Sequence, residues 1–576
     1  MKNPKRFIIL LFFIINYSLL AQSDSPSYRN VMYYGDWSIY SGLNHFFPSK
    51  IDANLITHLI FAYLDMDSNG DLVLYDEYAD FKIVTLPELE GINYGEPYGG
   101  VLGALSILKV KYPHLKLGVS VGGPKRSGDF SEVCSDRVKR QNFATNIVKF
   151  VDFLGFDFVD INWQFPNVEI EGVSNEKEGE INEGSRGNPE DSKNLILLLE
   201  EIRKEFDSKE RDGIFFEISV AMSSSPEILE KIQFDKILQI VNFANLMTYD
   251  LNGAWNSYTA HQTPLYTNEA YDQENMPEAK FSIDSCINYL IDKYGNEIDM
   301  KKIVIGVAPY TRGWLGVKDD GLDKDNPGLY ATANPNSVRS FDGTTSGIYG
   351  FHELPSLIKQ FNLVQYFDNT AKAAYYYSPS TGYFFTCDNE ESVAAKGKYV
   401  KEKGLGGLFA WISFDQENEI SKAMFNSLYE EGYKFPEKNL IYTLFSISSK
   451  IKATEDGYNF TIQNNAALFE TNPALKNAEL FQKNIFNMIV YIKTKSGTKF
   501  IAGPGSGNIT FKDGENIIDP SSNYESRIVP AGLGKYTFNV KISGTPNVDD
   551  IATVFVSQRI LPSLKEFKKR IVYRNE

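Results

Sequence analysis

The chain has 576 residues, a hydrophobic fraction of 43%, and 58 basic against 74 acidic side chains, for a net charge of −16. That length and composition fit a globular protein of two or more domains and exclude a disordered chain. The acidic balance, with no basic stripe, argues against a nucleic-acid partner.

The N-terminus is read first. Lys2, Lys5 and Arg6 precede the apolar run Phe7–Leu20, and Ala21 offers a cleavage position. This is the layout of a secretory signal peptide over residues 1–21. The run is shorter than the ~20 residues of a membrane span, and no later segment is long and apolar enough to be one. The mature protein is therefore expected to be soluble and exported, extracellular or periplasmic, with no membrane contact after signal removal. Cys134, Cys286 and Cys387 are far apart and lack metal-ligand spacing, and the five His residues are scattered. No metal site and no cofactor are expected, and at most one disulfide could form.

From Tyr28 to Phe435, short apolar runs rich in β-branched and aromatic residues alternate with charged stretches of helical period. Parallel strands buried on both faces read as such continuous runs. Eight are expected: Asn30–Gly35, His58–Leu64, Lys116–Val121, Phe156–Trp163, Ile214–Val220, Val241–Met247, Lys302–Val307 and Gly406–Ile412. Helices between them include Asp136–Phe153 and Ser192–Phe206. The expected fold is α/β, a (β/α)8 barrel over about residues 28–435. The acidic stretch Val168–Gly187 reads as a long, mobile βα-loop. The gap between strands seven and eight is too long for one helix, so an α+β subdomain is expected to be inserted over about residues 311–386. Beyond Leu440, over residues 440–576, short alternating runs such as Tyr458–Gln463 and Tyr536–Ile542 predict an all-β, sandwich-like domain.

Barrel catalytic groups stand at the C-terminal ends of strands. On strand four, Asp160, Asn162 and Gln164 lie two apart and so share the inward face. Polar side chains there cost desolvation unless they are hydrogen-bonded, a cost that a function explains. Other polar and aromatic motifs fall at strand ends: Ser120-Val121-Gly122-Gly123, Met247-Thr248-Tyr249-Asp250 with Trp255 downstream, Thr263-Pro264-Leu265-Tyr266, and Tyr310-Thr311-Arg312-Gly313-Trp314. Tyr33 and Tyr34 lie on strand one, and Trp411 ends strand eight after Gly404-Leu405-Gly406-Gly407. All five Trp residues (37, 163, 255, 314, 411) lie in or beside these ends, which suggests stacking platforms for sugar rings.

Together these motifs, in this order, resemble glycoside hydrolase family 18, the chitinases and their relatives. The run Asp157-Phe-Val-Asp160-Ile-Asn162-Trp163-Gln164 resembles the family's Asp-x-x-Asp-x-Asp-x-Glu, with amides at its last two acidic positions. The resemblance covers residues 28–435. It implies substrate-assisted cleavage: the Glu protonates the glycosidic oxygen, the substrate's acetamide attacks the anomeric carbon, and the neighbouring Asp steadies the charge that forms. By this resemblance Asp157, Asp160, Asn162 and Gln164 occupy the catalytic run. Tyr33, Ser120, Trp163, Met247, Tyr249, Asp250, Trp255, Arg312 and Trp411 would bind substrate, with Trp411 as the floor. Pro124 departs from the family, where many members have Trp.

An amide cannot donate a catalytic proton, yet it keeps the shape and hydrogen-bonding reach of the acid. The expectation is therefore a chitinase-like protein that binds chitin or N-acetylglucosamine oligosaccharides without efficient hydrolysis. Two alternatives stand beside it. One is an active family 18 chitinase or endoglycosidase using a substitute acid such as Glu169 or Glu171, or an enzyme that processes a different glycan through Asp160 or Asp250. The other is a non-enzymatic scaffold. The C-terminal domain could bind glycan, protein or cell surface; lacking Trp, it offers only Tyr and Phe platforms such as Tyr458, Tyr491 and Tyr536, so a docking domain is expected over a carbohydrate-binding module.

Overall fold

The computed structural model describes residues 26–435, apart from 41–44, 77, 84–99, 113, 155, 171–173, 176–179, 182–184, 209–214, 322, 341–342, 413–414 and 416. Beyond residue 444 it describes β-strand backbone alone. The segment 1–21 expected to be a signal peptide lies outside the described residues. Among the described residues no helix is long and apolar enough to cross a membrane. Cys134, Cys286 and Cys387 are all buried free thiols.

Seven barrel strands come first: β1 Arg29–Gly35, β2 His58–Met66, β3 Lys116–Gly122, β4 Phe158–Asn162, β5 Glu217–Ser223, β6 Phe243–Met247 and β7 Ile303–Val307. An inserted antiparallel sheet follows, with β8 Arg312–Trp314, β9 Val364–Asp368, β10 Ala373–Tyr377 and β11 Phe384–Thr386 in the order β8-β11-β10-β9. β12, Gly407–Ala410, completes the barrel. It pairs in parallel with both β7 and β1, while β1 pairs with β2, and this closes the ring. The helices that accompany the strands include α1 Gly100–Lys111, α2 Arg137–Leu154, α3 Asp191–Asp207, α4 Phe234–Ile240, α5 Ile283–Tyr294, α6 Glu390–Lys403 and α7 Glu419–Leu428.

The period of two along each strand divides the barrel's apolar residues into two cores. Tyr33, Ile60, Phe158, Phe243, Val304 and Phe409 pack inside the barrel. Tyr34, Phe61, Val121, Ile161, Leu246 and Leu408 pack outward against the helices. Helix ends are set locally. Ser282 caps α5 in a reciprocal box with Ser285, and Asn389 does the same for α6 with Ser392. α6 ends at Gly404 in the left-handed conformation, which glycine adopts without steric cost.

Two expectations need correction. The fifth strand was expected over Ile214–Val220 but runs Glu217–Ser223. Phe215 is 72% exposed, and the strand begins where Glu217 can pair with Lys116 and His58. The acidic loop is not wholly irregular. Glu169–Ile170 pairs with Ser185–Arg186, and Ser174–Asn175 with Glu180–Ile181. Arg186 ties this ribbon's base to Glu132 at 2.8 Å and Asp129 at 3.5 Å.

Beyond residue 444 most strands pair antiparallel in two sheets, while Ile571–Tyr573 pairs in parallel with Leu72–Leu74. Gly457–Asn464, Lys535–Lys541 and Ile509–Asp513 belong to one, and Ile485–Thr494 and Ile551–Leu561 to the other. Their side chains, including Tyr458, Tyr491 and Tyr536, lie outside the described residues.

At the N-terminal ends of the barrel strands, His58 Nε2 lies 3.0 Å from Glu217, which also pairs with Lys116. Burial lowers the His58 imidazole from 6.5 to about 4, although Glu217 pulls the other way. Burial pushes Glu217 up, but His58 and Lys116 outweigh it and hold the carboxyl below its usual range. Both groups bind protons less readily folded than unfolded. Their stabilisation is therefore present at neutral pH and is lost on acidification, for His58 between about 6.5 and about 4. His58→Gln should flatten the fall in thermal midpoint across that window. A slope equal to the wild type's would remove His58 from the acid transition.

Candidate active site

At the opposite, C-terminal end of the strands lies a cavity of about 510 Å³. Its floor is built from β4. Asp160 is fully buried and accepts three hydroxyl hydrogen bonds: from Tyr33 at 2.9 Å, Ser120 at 2.7 Å and Ser219 at 2.7 Å. Tyr33 in turn accepts from Asn245 Nδ2 at 3.0 Å. Burial raises the Asp160 carboxyl, and the three donors restrain the rise. A buried charge needs such donors, so β1, β3, β5 and β6 each contribute a side chain to this network.

Two residues further along the same face, Asn162 lines the cavity, and Gln164 lies beside it. Gln164 Nε2 donates to Asn162 Oδ1 at 3.0 Å and to the Met247 sulfur at 3.5 Å. The Gln164 backbone N–H donates to Ser127 Oγ at 3.0 Å. The two amides thus form a joined pair, pinned from β6 and from the β3–α2 connection.

The end of β6 supplies Tyr249 and Asp250. The Tyr249 ring lies over Gly306 of β7, where a Cβ would come within 2.6 Å of it, so a side chain at 306 would displace the tyrosine. Burial, then Tyr63, Asp250 and Asp160, pushes the Tyr249 hydroxyl well above its ordinary value. It stays protonated and opens on the cavity as a donor. Asp250 has a φ of 56°, a backbone conformation uncommon for a residue with a side chain. Both its oxygens accept from Arg312, at 2.8 Å from Nε and 2.8 Å from Nη2. This bidentate geometry is the strong form of the pair. Arg312 comes from β8, so the inserted sheet supplies one wall of the site. Its guanidinium also lies 5.4 Å from the centre of the Trp255 ring.

Trp411 follows β12 and lies edge-on to Tyr33, with ring centres 5.3 Å apart, and stacks on Tyr63 at 5.5 Å. It is half-buried and lines the cavity. Trp255, 48% exposed, stands on the flank.

Eight of the expected residues line one cavity: Tyr33, Asn162, Gln164, Met247, Tyr249, Asp250, Arg312 and Trp411. Asp160 and Ser120 lie beneath it as support. Asp157 is at the far end of the barrel, paired with Lys109 of α1 and accepting the Leu117 N–H at 2.7 Å. Trp163 does not face a ligand. It alternates outward, is 1% exposed, and stacks on Phe130 at 5.2 Å in the barrel–helix core. Trp314 is likewise buried, with Nε1 donating to the Asn256 carbonyl at 3.1 Å. The expectation that every Trp is a platform therefore fails for these two. Residues missed from the sequence include Tyr63 and the hydroxyl wall of Ser223, Ser224, Ser225, Ser282 and Ser285. Extending the inward period of β5 from Ser219 to Ser223 would have found the first of these serines. Among the described residues, no group of three or more His, Cys, Asp or Glu side chains could hold a metal ion.

Comparison with known proteins bears on this site. The family model described as glycosyl hydrolases family 18 matches residues 29–416. A chitinase A1 from Niallia circulans is 30% identical over 434 residues, covering 69% of this chain and 58% of the relative. A chitinase 1 from Aphanocladium album is 26% identical over 397 residues, covering 68% of this chain and 82% of the relative. The chain thus spans little more than half of the first relative's length. Among solved structures, chitinase ChiA74 from Bacillus thuringiensis superposes with a TM-score of 0.58 at 22% identity, covering 92% of this chain and all of that one. At that identity the likeness speaks to the fold alone.

Proposed function

Because the chain belongs to glycosyl hydrolase family 18, we propose that it is an exported, chitinase-like saccharide-binding protein that holds N-acetylglucosamine oligosaccharides without cleaving them efficiently. The observation that carries this reading is the Gln164–Asn162 amide pair, set in a cavity that still presents Tyr249, Arg312 and Trp411. A Gln amide donates no proton at working pH, and general acid catalysis supplies roughly 10²–10⁴ in rate. Nor can the Asn162 amide stabilise positive charge as a carboxylate does. Ground-state contacts remain while transition-state ones are gone, which favours binding over catalysis.

The substitute acids find little support. Glu169 is exposed on the ribbon, Glu171 lies outside the described residues, both Asp250 oxygens accept from Arg312, and Asp160 is sealed under the floor.

Calorimetric titration with chito-oligosaccharides, alongside an assay on a chromogenic chitobioside, tests the reading. Binding without turnover is the expected result. An absence of binding at millimolar ligand, or clear turnover, would overturn it. Tyr249→Phe should weaken binding roughly fivefold, the value of one hydrogen bond of about 1 kcal/mol. Its thermal midpoint should not move, because the hydroxyl opens on the cavity and has no partner among the described residues.

A further inference from the structure

The orientation of the Gln164 amide has a consequence for which part of a saccharide the cavity accepts. Its Nε2 is committed to Asn162 Oδ1 at 3.0 Å and the Met247 sulfur at 3.5 Å. Its Oε1 finds no partner among the described residues and faces the cavity that Gln164 lines. Sulfur makes this orientation the favoured one. A thioether accepts weakly and donates nothing, so turning both amides over would set the Gln164 oxygen against the sulfur lone pairs. The Ser127 bond to the Gln164 backbone holds the residue's position as well. The cavity therefore offers a hydrogen-bond acceptor where the family's acid would offer a donor.

We propose that Gln164 makes the cavity selective for the free reducing end of the saccharide. This rests on the saccharide-binding reading above, in which position 164 faces the oxygen on the anomeric carbon. Inside a chain that oxygen is an ether, which can only accept, and two acceptors repel. At a reducing end it is a hydroxyl, which donates to Gln164 Oε1. The protein caps chain ends rather than straddling an internal linkage.

Calorimetric titration of the full-length protein with chitotriose and with its methyl β-glycoside tests this. The glycoside replaces the hydrogen on the anomeric oxygen with a methyl group and fixes the β anomer, so a Gln164 variant is the control that isolates the lost donor. Satisfying rather than orphaning a half-buried acceptor is worth about tenfold in affinity, so the free sugar should bind about tenfold more tightly. Gln164→Leu removes the acceptor and should erase the difference. Met247→Leu removes the sulfur that selects the amide's orientation and should reduce it, which gives a second variant should the first fold poorly. Equal affinity of the wild type for both ligands would overturn chain-end selection while leaving saccharide binding intact. Failure of both ligands to bind would overturn the saccharide-binding reading and this inference with it.

Discussion

The double variant Asn162→Asp/Gln164→Glu is expected to hydrolyse a chromogenic chitobioside at least ~10²–10⁴ times faster than the wild type, the range that a placed general acid provides. Each decade is about 1.4 kcal/mol of barrier. The two carboxyls would share the inward face of β4, above Asp160 and beside Met247, in a partly buried floor. Like charges so close keep one proton on the pair towards neutrality, which is the state a proton donor requires. The rate should therefore fall on the alkaline side as that proton leaves. Each single variant should gain far less, because Gln164→Glu lacks a charge stabiliser and Asn162→Asp lacks an acid, and groups acting as a unit do not contribute additively. A wild type that already turns over at the rate of the double variant would refute the silent site. A double variant that binds but stays inactive would place the fault in the reshaped walls, at Pro124 or along the serines of β5 and α5.

The second large effect concerns stability. Lys396 of α6 is fully buried, with Nζ donating to Asp388 at 2.6 Å, Thr263 at 2.6 Å and the Gly306 carbonyl at 3.2 Å. Asp388 also accepts from the Ala308 N–H at 2.8 Å and from Ser392 at 2.7 Å. Every polar group of the pair is met, and the pair clamps the end of β7 to the inserted sheet's return into α6. Lys396→Ala strands the Asp388 charge in the interior and should cost ~3–5 kcal/mol, read as a lower denaturant midpoint. Lys396→Met combined with Asp388→Asn removes both charges and should cost clearly less than Lys396→Ala alone. If the two variants lose equal stability, the effect is one of packing rather than of an unpaired charge. Because Gly306 also seats the Tyr249 ring, Lys396→Ala should weaken ligand binding as well.

Much of the barrel can be read from the chain, because strands buried on both faces leave continuous apolar runs whose order is fixed by connectivity. The boundaries of β1, β2 and β3 fall within two residues of expectation. β5 was harder, because residues before Glu217 carry the same apolar character as the strand, and its start is set by partners on β2 and β3. The site divides along the same line. Tyr249, Asp250, Arg312 and Trp411 were found because their strand-end motifs resemble those of the family. Ser282 and Ser285 were not, since they also form the capping box of α5 and in sequence read simply as a helix start.

From the amino-acid order come the eight-strand barrel, the amides at 162 and 164, and the period that sets them on one face above Asp160. Each follows from local chemistry or from spacing along one strand. The same period sends Trp163 to the outer core and Ser223 to the cavity, whereas folding in three dimensions decides the contacts between distant segments. It brings Arg312 from the inserted sheet onto Asp250, and it turns the Gln164 amide by placing a sulfur from β6 against it. Those outcomes depend on contacts between segments more than sixty residues apart in the chain, and no local pattern encodes them.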